Sequence, residues 1–200
     1  MRVNLFDFMN RFSDLIVLNI IFILSCVPVI TVGPALVALY SVSLKLADGS
    51  EGYVVKGYIK AFKENFKQGI VVGIVLEIIG FVLGYDAVVL YYSKESYAGM
   101  GFFITVVALA VIVMVMQFIF PLLARYQNTI KNTVKNACLI AVSKLPYTAL
   151  LLVLELFCVL VCYLSVFGYL YVGLFGCSFC AFLQSKILKK IFMQIEGKES

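Results

Sequence analysis

The chain has 200 residues, which suits one domain, and apolar residues make up 63% of it. Charged residues make up only 14%, and the mean hydropathy is +1.04. Soluble domains carry roughly 45–50% apolar and about 25% charged residues, so a soluble fold of this composition would expose large apolar patches. The composition excludes an ordinary cytosolic enzyme, a secreted disulfide-rich mini-protein and a disordered chain. It predicts a single integral membrane domain over residues 1–200.

The 16 basic and 11 acidic residues give a net charge of +5. The basic residues cluster in the connections between apolar segments, where anionic lipid head groups and the positive-inside rule account for them. We therefore expect the lipid bilayer, and not nucleic acid, as the partner of these residues. The sequence contains no histidine, which excludes a His-dependent hydrolase or a zinc protease.

The first apolar segment, residues 15–46, is interrupted in its middle by Pro28, Gly33 and Pro34. Prolines inside a helix remove backbone donors, clash with preceding carbonyls and disfavour helical geometry in the residue before them. The pattern therefore predicts a broken helix or a helical hairpin, and not one straight span.

Four longer apolar segments follow, at about 69–92, 99–123, 145–166 and 168–188, and each has the roughly 20 residues that a spanning helix needs. The connections 53–67 and 125–144 combine apolar residues and lysines at helical spacing, which predicts amphipathic helices at the cytosolic membrane surface. The predicted fold is an all-α polytopic helical bundle. It has four long spans and a Pro-broken N-terminal segment, with five or six membrane helices in all.

The distribution of basic residues predicts the orientation. Five lie in residues 45–68, four in 124–144 and four at the C-terminal end, so thirteen of the sixteen face one side, which the positive-inside rule makes cytosolic. The C-terminus is therefore expected in the cytosol. A hairpin in residues 15–46 would make the N-terminus cytosolic as well, whereas one kinked span would place it outside. The sequence favours the hairpin, because it agrees with both the prolines and the charges.

Two acids, Glu77 and Glu155, lie deep in apolar spans, each about ten residues beyond the cytosolic start of its helix. At the helical rise this corresponds to about 15 Å. Both acids are therefore expected at one depth near the membrane centre, where ionisable residues by default mark a functional site. They form the candidate intramembrane polar site, which could bind a cation, a proton or a hydroxyl-rich solute. The alternative is that both are protonated and only hold helices together by hydrogen bonds.

Glycines accompany the first acid. On a helical wheel, Gly69, Gly73, Gly80 and Gly84 form one stripe beside Glu77. Small residues at this spacing let helix backbones approach closely in membranes, so the stripe predicts a helix-packing seam.

Other polar residues in the spans have structural explanations. Cys177 and Cys180 have the spacing of a redox pair, but they lie inside an apolar helix, where cysteine also serves as a small packing residue. The lone amides Asn19 and Gln117 are expected to form interhelical hydrogen bonds. The sequence shows no phosphate loop, dinucleotide fingerprint, metal-ligand cluster or nucleophile elbow. We therefore expect no cofactor, no metal and no enzymatic activity.

Several runs of the sequence resemble the YesL family of small bacterial integral membrane proteins, which carry domain of unknown function 624. In the first half they are Leu18-Asn19, 27–35, 38–40, 45–46, 51–53 and 61–68, and in the second half 120–126, 135–137 and 144–146. Members of this family are often encoded beside carbohydrate ABC importers and polysaccharide-degrading enzymes. The resemblance implies a location in the bacterial cytoplasmic membrane and an accessory role in carbohydrate uptake, with importer subunits as partners. It supplies no established functional residues.

Two functional hypotheses follow. The first is a non-enzymatic accessory of a carbohydrate ABC importer, whose surface helices could dock a partner or simply contact lipid. The second is a small secondary transporter, or an ion- or proton-coupled carrier, that uses Glu77, Glu155 and the broken first helix. The chain is short for alternating access unless it forms a homo-oligomer, and the sequence leaves the oligomeric state open.

Overall fold

The computed structural model describes residues 5–49, 53–93, 95, 97–164 and 171–197, and within these ranges it contains helices and no strands. Helix α1 spans Leu5–Cys26, a 3-10 turn covers Val29–Thr31, and α2 spans Val32–Ala47. The following helices are α3 at Val54–Glu64, α4 at Phe66–Tyr92, α5 at Ala98–Arg125 and α6 at Ile130–Ser143. Helix α7 spans Leu145–Leu164, and a π-helical turn at Val172–Gly176 leads into α8 at Cys177–Ile195.

Four helical stretches in the described residues are long and apolar enough to cross a membrane: Val29–Ala47, Phe66–Tyr92, Ala98–Arg125 and Val172–Ile195. The pair α6 and α7 is a fifth candidate, bent by 96° at its break. The predicted all-α polytopic bundle is confirmed, with four or five candidate spans where the sequence predicted five or six membrane helices. The bend separates amphipathic α6 from apolar α7, which is the geometry expected of a surface helix followed by a span.

The chain breaks between α1 and α2, where the prolines predict it. Pro28 is extended, with φ −79° and ψ 116°, and Pro34 lies in the first turn of α2, where its missing N–H removes no helical hydrogen bond. The Thr31 hydroxyl lies 2.6 Å from the carbonyl oxygen of Ser25 and 2.7 Å from that of Pro28. Its donation to Ser25 satisfies one of the carbonyls that a helix end leaves free.

Helix α2 is the central helix of the bundle. Eleven of its sixteen residues are buried, and it contacts α1, α3, α4, α5 and α8. The outer parts of α4 and α5 instead expose large apolar side chains, such as Phe81 and Phe103, which are 76% and 68% exposed. In a bundle of this composition these outward faces are the ones that lipid tails cover.

The ends of α2, α5 and α8 meet at one end of the bundle, together with the connecting helices α3 and α6, and we call this the basic end. Here Lys189 pairs with Asp48 at 2.7 Å, and Arg125 pairs with Glu196 at 3.0 Å. These ion pairs join the loop after α2 and the end of α5 to α8, so the basic residues counted in the sequence gather on a shared surface.

Candidate functional site

The helix break packs directly on the glycine stripe of α4. Gly69 and Gly73 are buried, and a Cβ added to Gly69 would lie 2.7 Å from the Cα of Pro34. A Cβ on Gly73 would lie 2.8 Å from the Cα of Gly33. These distances are too short for any side chain, so glycine is what allows α2 and α4 to touch through their backbones.

The other half of the stripe is open. A Cβ on Gly80 or Gly84 would meet nothing within 4 Å. Glu77 lies between the two halves and is half-buried, close enough to the Cys26 thiol at the end of α1 for an electrostatic interaction. It forms no hydrogen bond or ion pair with any residue that the structure describes.

Glu155 on α7 stands at the centre of a buried hydrogen-bond network. Its Oε2 accepts from Nε2 of Gln117 on α5 at 3.0 Å, and its Oε1 accepts from Nε2 of Gln184 on α8 at 2.9 Å. The Tyr40 hydroxyl of α2 donates to Oε1 of Gln184. The network therefore joins α2, α5, α7 and α8 through one carboxyl group.

One acceptor in this network has no partner. Oε1 of Gln117 is buried and accepts no hydrogen bond from the residues described here, although Gln117 is only 4% exposed. A buried polar atom without a partner costs about 1–3 kcal/mol. Turning the Gln117 amide over would give up its Nε2 hydrogen bond to Glu155 and would present Oε1 to that group instead, which makes it the adjustable member of the network.

The two predicted site acids are thus in different surroundings. Glu155 bonds to Gln117 and Gln184, whereas Glu77 lies beside Cys26 and shares no hydrogen-bond partner with Glu155. Depth along a span is one coordinate, and a single sequence carries no measure of the position around the bundle. The interhelical hydrogen bond predicted for Gln117 is confirmed.

Asn19 also forms the interhelical hydrogen bonds predicted for it. Its Nδ2 donates to the carbonyls of Val172 and Gly173 at 2.9 and 2.8 Å, and its Oδ1 accepts from the backbone N–H of Ser178 at 3.1 Å. The Ser178 hydroxyl donates to the carbonyl of Leu15 at 2.7 Å. These bonds fasten α1 to the π-helical turn and to the start of α8.

The cysteines of α8 form no disulfide bond with any residue that the structure describes. Cys180 lies next to Cys158 and Glu155 as well as Cys177, so its surroundings are those of an interhelical packing residue. Among the described residues, no group of three or more Cys, Asp or Glu side chains is placed to hold a metal ion.

The basic end carries a polar groove of about 640 Å³ between the start of α4 and the connection from α5 to α6. Its lining includes Asn65, Gln68, Gln127, Asn128 and Thr129. Amide and hydroxyl side chains both donate and accept hydrogen bonds. The groove can therefore pair with the backbone of an extended segment.

Tyr126 forms one wall of this groove and donates its hydroxyl hydrogen to Oε1 of Glu196. Burial, together with that hydrogen bond, raises the pKa of Tyr126 to about 12. Arg125 lies on the other side of Glu196, with its guanidinium carbon 5.2 Å from the centre of the Phe192 ring. The wall is therefore held in place by an ion pair, a hydrogen bond and aromatic contacts.

The sequence model of the family described as "Protein of unknown function, DUF624" matches residues 15–87. The YesL family is the DUF624 family, so the resemblance seen in the sequence is confirmed over these residues. The match covers the helix break, Glu77, and the two glycines of α4 that pack on α2, Gly69 and Gly73. It ends before Gln117 and Glu155. No curated protein and no solved structure matches the chain.

Proposed function

With the DUF624 family match over residues 15–87 as premise, we propose that this protein is a non-enzymatic membrane accessory of a carbohydrate ABC importer. The carbohydrate part rests on the resemblance to the YesL family. The proposal that the protein docks an importer subunit rests on one observation, the polar groove at the basic end.

The groove suits a partner segment better than it suits a lipid. Its walls are rich in uncharged amides and a hydroxyl. The charged residues of its lining are Glu64 and Arg125, and Arg125 is paired with Glu196. An extended segment of an importer subunit could therefore satisfy its backbone groups on Asn65, Gln68 and Asn128, in the manner of other peptide-binding grooves.

Photo-crosslinking in native membranes tests the docking. A photoreactive residue replaces Gln127, which is exposed in the groove, and a matched one replaces Phe81, which is exposed on the outer face of α4. We expect the Gln127 position to capture an importer membrane subunit, identified by mass spectrometry, and the Phe81 position to capture none. Equal capture at both positions, or capture of no importer subunit, would contradict the proposal. Deletion of the protein should also reduce uptake of the sugar which that importer carries.

A second candidate function is favoured by the Glu155 network. A half-buried carboxyl group that accepts hydrogen bonds from two buried amides is suited to binding and releasing a proton in a proton-coupled carrier. In this carrier Glu155 is the proton-binding group. Glu77 is a separate acid, which the carrier would use at another step.

Solute flux into proteoliposomes under a pH gradient tests the carrier. Loss of flux in Glu155→Gln alone would restrict the site to the Glu155 network, and loss in both Glu155→Gln and Glu77→Gln would support a carrier that uses both acids. Unchanged flux in both variants, or no flux in the parent protein, would reject the carrier function.

We further propose that the protein lies in the bacterial cytoplasmic membrane with its basic end and C-terminus in the cytosol. The packing of α1 supports one kinked crossing made by α1 and α2 together, in place of the hairpin that the charges favoured. Asn19 bonds to the start of α8, Cys26 at the end of α1 lies near Glu77 of α4, and α2 continues from this break to Asp48 at the basic end. Helix α1 then runs toward the cytosol, and its N-terminus lies outside.

A further inference from the structure

A groove on the outer side of the bundle is lined by α4, α5 and α6. It has a volume of about 370 Å³, and every residue in its lining is Val, Leu or Ile, except Cys138 of α6. On α4 the lining runs from Val71 to Ile79, a length of about 12 Å at the helical rise. The groove is thus narrow, wholly apolar and elongated along the membrane-spanning helices.

The end of this groove nearest α6 is surrounded by positive charge. Lys67 precedes Val71 by one helical turn on the same face of α4. Lys131 and Lys135 directly follow two lining residues of α6, Ile130 and Val134. All three lysines are exposed and form no ion pair with any described residue, and residues 124–144 contain no acid.

A hydrogen bond holds the lysine-bearing ends of the two helices together. Nε2 of Gln68, next to Lys67, donates to the carbonyl of Asn128, just before α6, at 3.3 Å. The start of α4 is therefore held against the start of α6. Three lysines that pair with no described residue thus flank the end of an apolar groove, on the side that the positive-inside rule assigns to the cytosolic head groups.

We propose that this groove is a binding site for one anionic phospholipid. One acyl chain lies between α4 and α5, and the phosphate head group is held by Lys67, Lys131 and Lys135. The occupant is a lipid because the lining offers no polar group to a peptide or a sugar, whereas the cations at its end match an anionic head group. The site does not depend on the proposed accessory or carrier function.

Native mass spectrometry of the purified full-length protein tests the site. Phosphatidylglycerol is titrated against phosphatidylcholine with the same acyl chains, and we expect the parent protein to bind phosphatidylglycerol at least tenfold more tightly. Removing the cations with Lys67→Gln, Lys131→Gln and Lys135→Gln should weaken that binding by about fivefold per lysine. The matched control removes the same charge from α3 with Lys56→Gln, Lys60→Gln and Lys63→Gln, and it should retain the preference.

The apolar part is tested separately. Val75→Phe fills the groove and should weaken binding of both lipids, and glycerol 3-phosphate, which lacks acyl chains, should not compete. If Val75→Phe does not fold, protection of Cys138 serves instead, because this exposed thiol lines the groove. Phosphatidylglycerol should then slow its alkylation by a bulky maleimide severalfold, and phosphatidylcholine should not.

Three results would overturn the proposal. The first is equal affinity of the parent protein for the two lipids, and the second is an equal loss of affinity in the α3 control. The third is full competition by glycerol 3-phosphate, or alkylation of Cys138 at the same rate with and without phosphatidylglycerol.

Discussion

Gly73 and Gly80 lie two helical turns apart on α4 and have opposite surroundings. A Cβ on Gly73 would lie 2.8 Å from the Cα of Gly33, whereas one on Gly80 would meet nothing within 4 Å. We expect Gly73→Ala to destabilise the fold by about 1–3 kcal/mol, because the neighbouring group is backbone and cannot move aside. Gly80→Ala should be neutral or stabilising by up to about 1 kcal/mol, since alanine is the better helix former.

Unfolding of both variants in the same detergent measures the difference. Equal stability of Gly73→Ala and Gly80→Ala would show that the close approach of α2 and α4 does not hold the bundle together.

A second prediction concerns the Glu155 carboxyl group. Glu155→Gln should cost less than about 0.5 kcal/mol, because the Gln117 amide can turn and accept from the new NH₂ group with its unpartnered Oε1. Glu155→Leu should cost about 1–2 kcal/mol, because the amides of Gln117 and Gln184 both lose their acceptor. Thermal unfolding of the two variants tests this order. Glu77→Leu is the control and should have little effect on thermal stability. If Glu77→Leu lost as much stability as Glu155→Leu, the hydrogen bonds that Glu155 accepts would not explain the effect.

At the residue scale, the predicted seam of four glycines agrees with the structure only in part. Gly69 and Gly73 approach the backbone of α2 closely, whereas a Cβ on Gly80 or Gly84 would meet nothing within 4 Å. Sequence reasoning could not find Tyr40 as a member of the Glu155 network, since a tyrosine in an apolar helix carries no signal that distinguishes a buried hydrogen-bond donor from an interface anchor. Which side chains meet across helices depends on their rotation and crossing, and one sequence does not encode these locally.

At the scale of the helices, the break between α1 and α2 leads to a prediction about stability. The Thr31 hydroxyl donates to the carbonyl of Ser25 at the end of α1. Thr31→Val keeps the shape of the side chain but removes this bond, so it should lower the free energy of unfolding by about 1 kcal/mol. Thr31→Ser keeps the hydroxyl and should stay within about 0.5 kcal/mol of the parent protein. Denaturant unfolding compares them, and an equal loss in both would show that the hydrogen bond to Ser25 is not what stabilises the break.

The elements themselves were largely predictable. The segments expected at about 69–92 and 99–123 are helices at Phe66–Tyr92 and Ala98–Arg125, because long apolar runs have only one way to satisfy their backbone in a membrane. The amphipathic connections 53–67 and 125–144 contain α3 and α6. The end of the predicted span 145–166 and the start of 168–188 fall partly outside the described residues. The central position of α2 was not predicted, since a short, Pro-interrupted segment suggests partial penetration and not the core of a bundle.

For the whole molecule, the charge count and the helix packing disagree about the side of the membrane on which the N-terminus lies. Counting basic residues favours a hairpin, because a cytosolic N-terminus places Arg2 and Arg11 with the majority. Two arginines contribute little to such a count, however, and the hydrogen bonds of Asn19 fix α1 against the far end of α8 from the basic end. The packing is the stronger constraint, since it involves three hydrogen bonds of one buried side chain.

Protease accessibility in intact spheroplasts decides the orientation. With an epitope tag at each terminus, externally added protease should remove the N-terminal tag and leave the C-terminal tag, because in the proposed kinked crossing α1 and α2 together cross the membrane once. After lysis both tags should be lost, which controls for tags that resist cleavage. A hairpin would instead protect both tags until lysis. In that case α1 would begin in the cytosol and the kinked crossing would be rejected, whereas α8 would still end in the cytosol.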